Sequence, residues 1–336
     1  MSSLSWGLSL PYQQVASWQR RTHERWPTLP RPTISVGNLA FGGRGKTPIT
    51  AAVAEQARSL GLRPAILSRG YGGSLRHTSE PLVLEGGRGP SWLQSVAAER
   101  EIGGEEACWL AARCPGVPVG VHPDRTLSAA QVLATHQVDL FVLDDGFQTK
   151  LRRDVDLVLL DALLDPPFVR HRGPLRESVG ALDRASALGV FADEDSEIRL
   201  QSDEGLRGAT SLTTIPRFHL KRVFGGLQRL SDGEDVSPPD WPLKVIAATA
   251  VGQPESVLTL LAGTRIQAAC SLKLKDHTRP SPRQIRGLRS SPVPVLMTEK
   301  DALSWGRQSL DEGLVLALKL EGAEALARWA ITELGL

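Results

Sequence analysis

The sequence predicts an α/β protein of two units, the first built on a parallel sheet with helices on both faces. Three observations carry this. Short runs such as Asp139–Leu143, Val155–Leu160 and Ala187–Phe191 are mainly apolar rather than alternating, as strands covered on both faces must be. Segments of helical spacing separate these runs, which is the alternation of a layered α/β architecture. At 336 residues the chain is also long enough for two cores of ordinary size.

The elements follow in order. Residues 1–30 form a leading segment in which Leu8, Tyr12, Val15 and Trp18 recur at helical spacing, with Pro11 suited to a first helical turn. Such a stripe packs on its own domain or, with Trp6 and Trp26 flanking and Arg20 and Arg21 beside it, lies on an anionic membrane surface. Residues 31–215 make the first domain. Its strands are Thr33–Gly37, Pro64–Ser68, Val117–Val121, Asp139–Leu143, Val155–Leu160 and Ala187–Phe191, and a helix spans Lys46–Leu60. The Gly- and Ser-rich stretch Gly70–Gly104 is a long connection of the kind that carries function. Alternation over Pro216–Leu230 predicts a two-stranded, hairpin-like linker within 216–240. A smaller α/β domain occupies 241–336, with strands at Lys244–Ala248 and Val293–Met297 and a helix in Gly322–Leu334.

Charged residues at 23% and hydrophobic residues at 41% fit a folded globular chain, and a net charge of +2 argues against bulk nucleic-acid binding. Cys108, Cys114 and Cys270 form no CxxC pair, which fits a reducing compartment. There is no early basic segment, Pro11 breaks the first apolar run, and no stretch of 18 apolar residues occurs. We therefore expect a cytoplasmic protein, with no nucleic-acid partner and no obligate protein partner.

The strongest chemical signal is Val36-Gly37-Asn38-Leu39-Ala40-Phe41-Gly42-Gly43-Arg44-Gly45-Lys46-Thr47-Pro48. A strand feeds a glycine-rich turn that opens a helix. Glycines let main-chain N–H groups converge on phosphate oxygens, and the helix N-terminus adds positive potential. Gly42, Gly43 and Gly45 are the cradle, Lys46 reaches the β- and γ-phosphates, and the Thr47 hydroxyl is a ligand for Mg²⁺. The first glycine of the usual phosphate-loop pattern is Ala40 here; the strand–turn–helix context compensates. This makes the first domain P-loop NTPase-like, with ATP and Mg²⁺ as expected cofactors.

A second nucleotide signal is Asp139-Leu140-Phe141-Val142-Leu143-Asp144-Asp145-Gly146-Phe147-Gln148. An apolar strand ending in acid sets a carboxylate at the C-terminal edge of a parallel sheet. Two such aspartates alone also suit a plain turn; beside a phosphate loop, Asp144 and Asp145 are metal candidates.

These motifs, with Leu67-Ser68-Arg69-Gly70-Tyr71-Gly72, Gly173-Pro174-Leu175-Arg176-Glu177, Gly252-Gln253-Pro254-Glu255, Asp276-His277 and Thr298-Glu299-Lys300-Asp301, run in an order that resembles the tetraacyldisaccharide 4'-kinase family. The resemblance implies two α/β/α domains joined by a two-stranded linker, with the active site between them. It implies Mg²⁺-dependent transfer of the ATP γ-phosphate to the 4'-hydroxyl of a lipid-linked glucosamine disaccharide 1-phosphate. It also implies peripheral association with the inner leaflet of the cytoplasmic membrane.

Residue roles follow from the same resemblance. The family's Gly-Asp-Glu element matches Gly104-Glu105-Glu106, so Glu105 stands where aspartate is usual and Glu106 lies near the metal. On the residues alone, two acids in a first helical turn are equally well explained by the helix dipole. His277, in Asp276-His277, matches the histidine that completes a base dyad with Glu105, although Leu274, Lys275 and Thr278 depart from the usual surroundings. Arg176 matches an arginine facing the phosphates; without the resemblance it reads as a surface arginine paired to Glu177 or a neighbour. Tyr71, Arg125 and Gln148 are substrate candidates at strand ends. Thr298 and Asp301 read as a helix capping box without chemistry. Two other functions fit parts of the pattern: a P-loop kinase for a different sugar or small-metabolite hydroxyl, and a nucleotide-driven switch. The second leaves the later motifs unexplained.

Overall fold

The computed structural model describes residues 26–39, 45–74, 80–86, 100–161, 176–177, 179–191, 214–237, 242–250, 254–274, 278–306, 310 and 313–336. Most of the amphipathic segment expected in 1–30, the glycines Gly42 and Gly43, and the pair Asp276-His277 lie outside them. Two compact units divide the chain, and both are discontinuous. One comprises Met1–Arg69, Asp124–Lys221 and Leu320–Leu336; the other comprises Gly70–Pro123 and Arg222–Lys319.

In the first unit the strands β1 (Thr33–Asn38), β2 (Pro64–Ser68), β5 (Leu140–Asp144), β6 (Val155–Asp161), β7 (Ala187–Phe191) and the start of β8 (Arg217–Arg229) form a sheet in the order β8-β7-β6-β1-β5-β2. Every pairing in it is parallel. β1, β2, β5 and β7 are buried along their whole length, which is why β2, β5 and β7 read as runs of consecutive apolar residues; β1, Thr-Ile-Ser-Val-Gly-Asn, carries small polar residues that are buried as well. Helix α1 (Lys46–Ser59) buries Ile49, Val53 and Ala57 on one stripe, with the C-terminal helix Ala323–Glu333 packed against it. A cluster of Leu39, Phe147, Val158, Leu182, Leu188 and Val190 forms part of its core.

The second unit holds β10 (Leu243–Thr249), β11 (Ile266–Lys273), β12 (Val295–Thr298), β13 (Leu314–Glu321) and the end of β8, in the order β11-β10-β12-β13-β8. Leu227, Val245, Val257, Leu261, Ile266, Leu296 and Leu316 form its core. The same unit carries the antiparallel pair β3 (Leu82–Leu84) and β4 (Val119–Val121), and the helix α2 (Glu105–Arg113), which buries Cys108, Leu110 and Ala111.

Three strands escape the sequence reading. β11 is an edge strand with mostly exposed side chains, β3 is three residues long, and β13 ends in a charged Lys-Leu-Glu run. β11 and β3 offer no clear period; β13 does alternate, with Leu314, Leu316, Leu318 and Leu320, and that period was legible in the sequence. The alternation over Pro216–Leu230 belongs to one long strand, β8, whose antiparallel return is only Asp235–Val236.

Candidate active site

The register of β1 against β5 builds the first part of the site. Val36 sits opposite Asp144, so the turn that follows β1 and the acids that end β5 emerge side by side at the C-terminal edge of the sheet. Two glycines make this approach possible. Gly146 donates its N–H to the Val36 carbonyl at 3.0 Å. At Gly37 a Cβ would lie 2.3 Å from the Phe147 Cβ, so no larger residue fits there. Gly45 then turns the chain into α1 with φ of 81°, a left-handed conformation that glycine adopts at little cost.

Asp145 is the hub. It has φ of 53°, the one positive value outside glycine among the described residues. Nη1 of Arg176 donates to both of its carboxylate oxygens at 2.7 Å, and Lys46 Nζ lies 3.6 Å away. Burial works to raise the Asp145 carboxyl, but the fields of Lys46, Arg176 and Arg125 together with the Arg176 hydrogen bond outweigh it, holding the group below its ordinary value. Asp144 is buried and accepts a hydrogen bond from Thr50 Oγ1 at 3.1 Å.

Arg125, the first residue of α3 (Arg125–Thr135), is buried and points Nη2 at the Asp144 carbonyl, 3.4 Å away. Burial pushes its guanidinium down to about 10, against the pull of Asp144, and neighbouring Arg69 lowers it further. Lys46, Arg69, Arg125 and Arg176 thus outnumber the two aspartates on this edge, a balance suited to polyphosphate.

Arg176 is itself held firmly. Its N–H donates to the Leu39 carbonyl at 2.7 Å. The next residue, Glu177, is buried and paired with Arg184 at 2.9 Å, and the Arg184 guanidinium stacks 4.5 Å from the Phe147 ring centroid. Arg176 therefore pairs with Asp145, and Glu177 serves as the anchor beside it.

Asn38 is a residue the sequence reading quoted but gave no role. It is fully buried. Its Oδ1 accepts from Lys46 Nζ at 3.3 Å and its main-chain carbonyl accepts from Gln148 Nε2 at 2.8 Å. Gln148 in turn accepts from Arg176 Nη1 at 3.3 Å, so this substrate candidate is also a bridge between Asn38 and Arg176. The Asn38 amide nitrogen has no partner. An asparagine ending a strand just before a phosphate loop was the available signal.

The second unit holds the other acids. Gly104 caps α2 with φ of 85° and ψ of 161°, and a Cβ on it would lie 2.4 Å from the Tyr71 carbonyl oxygen. That contact fixes where Glu105 and Glu106 begin their helix. Glu105 accepts from Ser304 Oγ at 2.7 Å, and Glu106 pairs with Lys300 Nζ at 3.2 Å. Tyr71 is 68% exposed. The expected capping box is present: Thr298 and Asp301 exchange side-chain and main-chain hydrogen bonds, and Asp301 also accepts from the Ala250 N–H at 2.9 Å. Burial raises the Asp301 carboxyl above its ordinary value in spite of these bonds.

Among the described residues no three His, Cys, Asp or Glu side chains cluster as a metal-binding set. A phosphate-loop magnesium site needs no such set. One hydroxyl and one carboxylate suffice when phosphates and water complete the oxygen shell, and Thr47 and Asp144 are buried oxygen donors on this edge.

Comparison with known proteins agrees with this geometry. The profile of the family described as tetraacyldisaccharide-1-P 4'-kinase matches residues 1–332. The tetraacyldisaccharide 4'-kinase of Azoarcus sp. (strain BH72) is 40% identical over 269 residues, 71% of this chain and 74% of the relative. That of Geobacter metallireducens is 33% identical over 331 residues, 94% and 91% of the two chains. The crystal structure of Aquifex aeolicus LpxK in complex with ATP superposes with a TM-score of 0.71 at 25% identity, over 98% of both chains. The chain belongs to the tetraacyldisaccharide-1-phosphate 4'-kinase family.

Proposed function

We propose that this chain transfers the γ-phosphate of ATP to the 4'-hydroxyl of a tetraacylated glucosamine disaccharide 1-phosphate, the phosphorylation step of lipid A synthesis. The observation that carries the chemistry is Asp145 at the end of β5, with Lys46 at 3.6 Å and Arg176 at 2.7 Å, on the edge where the β1–β5 register also brings Asp144. The family membership carries the acceptor.

In this reading Lys46 neutralises the β- and γ-phosphates, and Arg176 meets the charge that spreads over the phosphoryl group in transfer. Asp145 keeps both cations aimed before nucleotide arrives. Thr47 and Asp144, with Glu106 as a further candidate, would hold Mg²⁺, which supplies charge neutralisation at the phosphate oxygens. Glu105, with His277, takes the proton from the sugar hydroxyl as the new P–O bond forms, and the β–γ P–O bond breaks to release ADP. Tyr71 offers an exposed ring for the substrate.

Such an acceptor sits in a bilayer. No helix among the described residues is long and apolar enough to cross a membrane. We assign contact with the inner leaflet to the amphipathic segment within residues 1–24, leaving Trp26 in place because it is buried against Arg153. Deleting residues 1–24 is expected to weaken binding to anionic liposomes, and undiminished binding would remove this role.

The test of the reaction is transfer of label from γ-³²P-ATP to the tetraacyl disaccharide 1-phosphate in mixed micelles. A metal-dependent labelled bisphosphate lipid is the expected product. ATP turnover without labelled lipid would overturn the acceptor and leave the nucleotide site standing.

A further inference from the structure

The segment Thr298–Gly306 shares its unit with Glu105 and Glu106, and its capping box alone does not account for it. Asp301 ties the segment to the end of β10 through the Ala250 N–H, and to its own start through Thr298. The chain then widens into a π-helical turn, Ala302–Gly306. Turns of this kind are rare and are frequent at functional sites. Ala302, Leu303, Ser304 and Trp305 are all buried in it, so the turn is held by packing on most sides.

From this anchored frame two side chains reach successive acids at the start of α2. Lys300 Nζ meets Glu106 Oε1 at 3.2 Å, and Ser304 Oγ donates to Glu105 Oε1 at 2.7 Å. The second bond is short and charge-assisted, the stronger class of side-chain hydrogen bond. It also falls on the acid that, by the motif resemblance, stands where the family has an aspartate, one methylene shorter. A glutamate has one more rotatable bond than aspartate, so an unrestrained carboxylate at this position samples more directions. A base needs its oxygen held to about half an ångström.

We propose that Ser304 is a positioning residue for the candidate base Glu105: its hydroxyl, presented by the π-helical turn, fixes the longer carboxylate where a shorter one would need no such partner. The inference rests on the assignment of Glu105 as proton acceptor. It concerns how this chain tolerates the longer acid, and it gives the Thr-Glu-Lys-Asp segment a role in the reaction.

The experiment compares kcat and KM for the wild type with Ser304→Ala, Ser304→Thr, Glu105→Asp, Glu105→Gln and the Glu105→Asp/Ser304→Ala double variant, using the lipid transfer assay and a thermal melt for each. Loss of one charge-assisted hydrogen bond predicts that Ser304→Ala lowers kcat about tenfold, with both KM values within about twofold. Ser304→Thr, which keeps the hydroxyl, restores most of kcat. With aspartate at 105 the carboxylate falls short of Ser304, so removing the hydroxyl there changes kcat by less than about twofold. An unchanged kcat in Ser304→Ala overturns the proposal. So does an equal loss in both backgrounds, because Ser304 would then act on something other than Glu105. Near-normal turnover in Glu105→Gln removes the base assignment itself. An inactive Glu105→Gln with a neutral Ser304→Ala removes only the positioning role.

Discussion

Arg176 places one guanidinium nitrogen 2.7 Å from both carboxylate oxygens of Asp145, while Lys46 lies 3.6 Å from the same carboxylate. The two cations would repel each other on this edge without it. Incoming phosphate offers them a second set of anionic oxygens, so the pair is a preorganised receptor rather than a surface ion pair. Arg176→Ala is expected to lower kcat by about 10²–10³-fold, the loss that follows removal of one donor to charge developing in a transition state. Arg176→Lys keeps the charge but loses the planar fork, and should recover only part of that. Steady-state kinetics at saturating ATP decide it; a loss confined to lipid KM would move Arg176 away from the phosphates.

Asn38 sets activity against stability. It holds Lys46 and Gln148, yet keeps a buried amide nitrogen without a partner, and such an orphan costs about 1–3 kcal/mol. Asn38→Leu, with the same branching and number of side-chain heavy atoms, removes the orphan and releases Lys46. We expect a melting temperature equal to or above that of the wild type, with kcat/KM for ATP down about tenfold. A parallel fall in both would mean that the asparagine is a structural residue only.

These relationships explain what the sequence makes legible. Strand β5, helix α1 and the Asp144-Asp145 pair are readable because a parallel sheet imposes continuous apolar runs and forces phosphate-binding groups onto one edge. The pairing of Arg176 with Asp145 is not, since the two lie 31 positions apart and only the packing of Glu177, Arg184 and Phe147 brings them together. Ser304 is invisible for a similar reason. It falls in a π-helical turn, where neither the helical nor the strand period applies. The exposed edge strand β11 has no buried face to betray it.

Asp139 separates stability from chemistry. It precedes β5, at the opposite end from Asp144, and accepts hydrogen bonds from the Arg63 side chain and main-chain N–H. The Arg63 side-chain bond, then its main-chain bond, lower the Asp139 carboxyl to about 2 from its ordinary 3.8. A carboxyl depressed in the folded state stabilises it above the unfolded value, and that contribution is lost as pH falls through the folded value. Asp139→Asn should therefore melt slightly below the wild type at pH 7. The gap should close between about pH 4 and pH 2, and kcat at neutral pH should not change. A gap that is constant down to pH 2 would remove the ion pair as its cause.

Metal dependence tests the oxygen donors. Chelation by EDTA is expected to abolish transfer and Mg²⁺ to restore it. Thr47→Ala should raise the Mg²⁺ concentration for half-maximal activity about tenfold, and Thr47→Ser, which keeps the hydroxyl, should not. Calorimetric titration with ATP in EDTA provides the control: if Thr47→Ala weakens metal-free nucleotide binding as much as it weakens Mg²⁺ dependence, the hydroxyl serves the phosphates and not the metal.

Gly104 links backbone geometry to the acids of the second unit. Its φ of 85° and ψ of 161° lie in a region essentially restricted to glycine, where another residue costs about 1–3 kcal/mol. A Cβ there would also stand 2.4 Å from the Tyr71 carbonyl oxygen, which is main chain and cannot swing aside. Gly104→Ala must therefore displace either the Tyr71 loop or the start of α2, and both carry candidate groups. The expected result is a melting temperature lower by roughly 3–10 °C and a kcat reduced at least about tenfold. ATP affinity should stay near the wild-type value, because Lys46, Asp145 and Arg176 belong to the other unit. Nucleotide binding that falls together with kcat would show that the acids at 105 and 106 help to hold ATP, and would reassign them from the acceptor to the nucleotide.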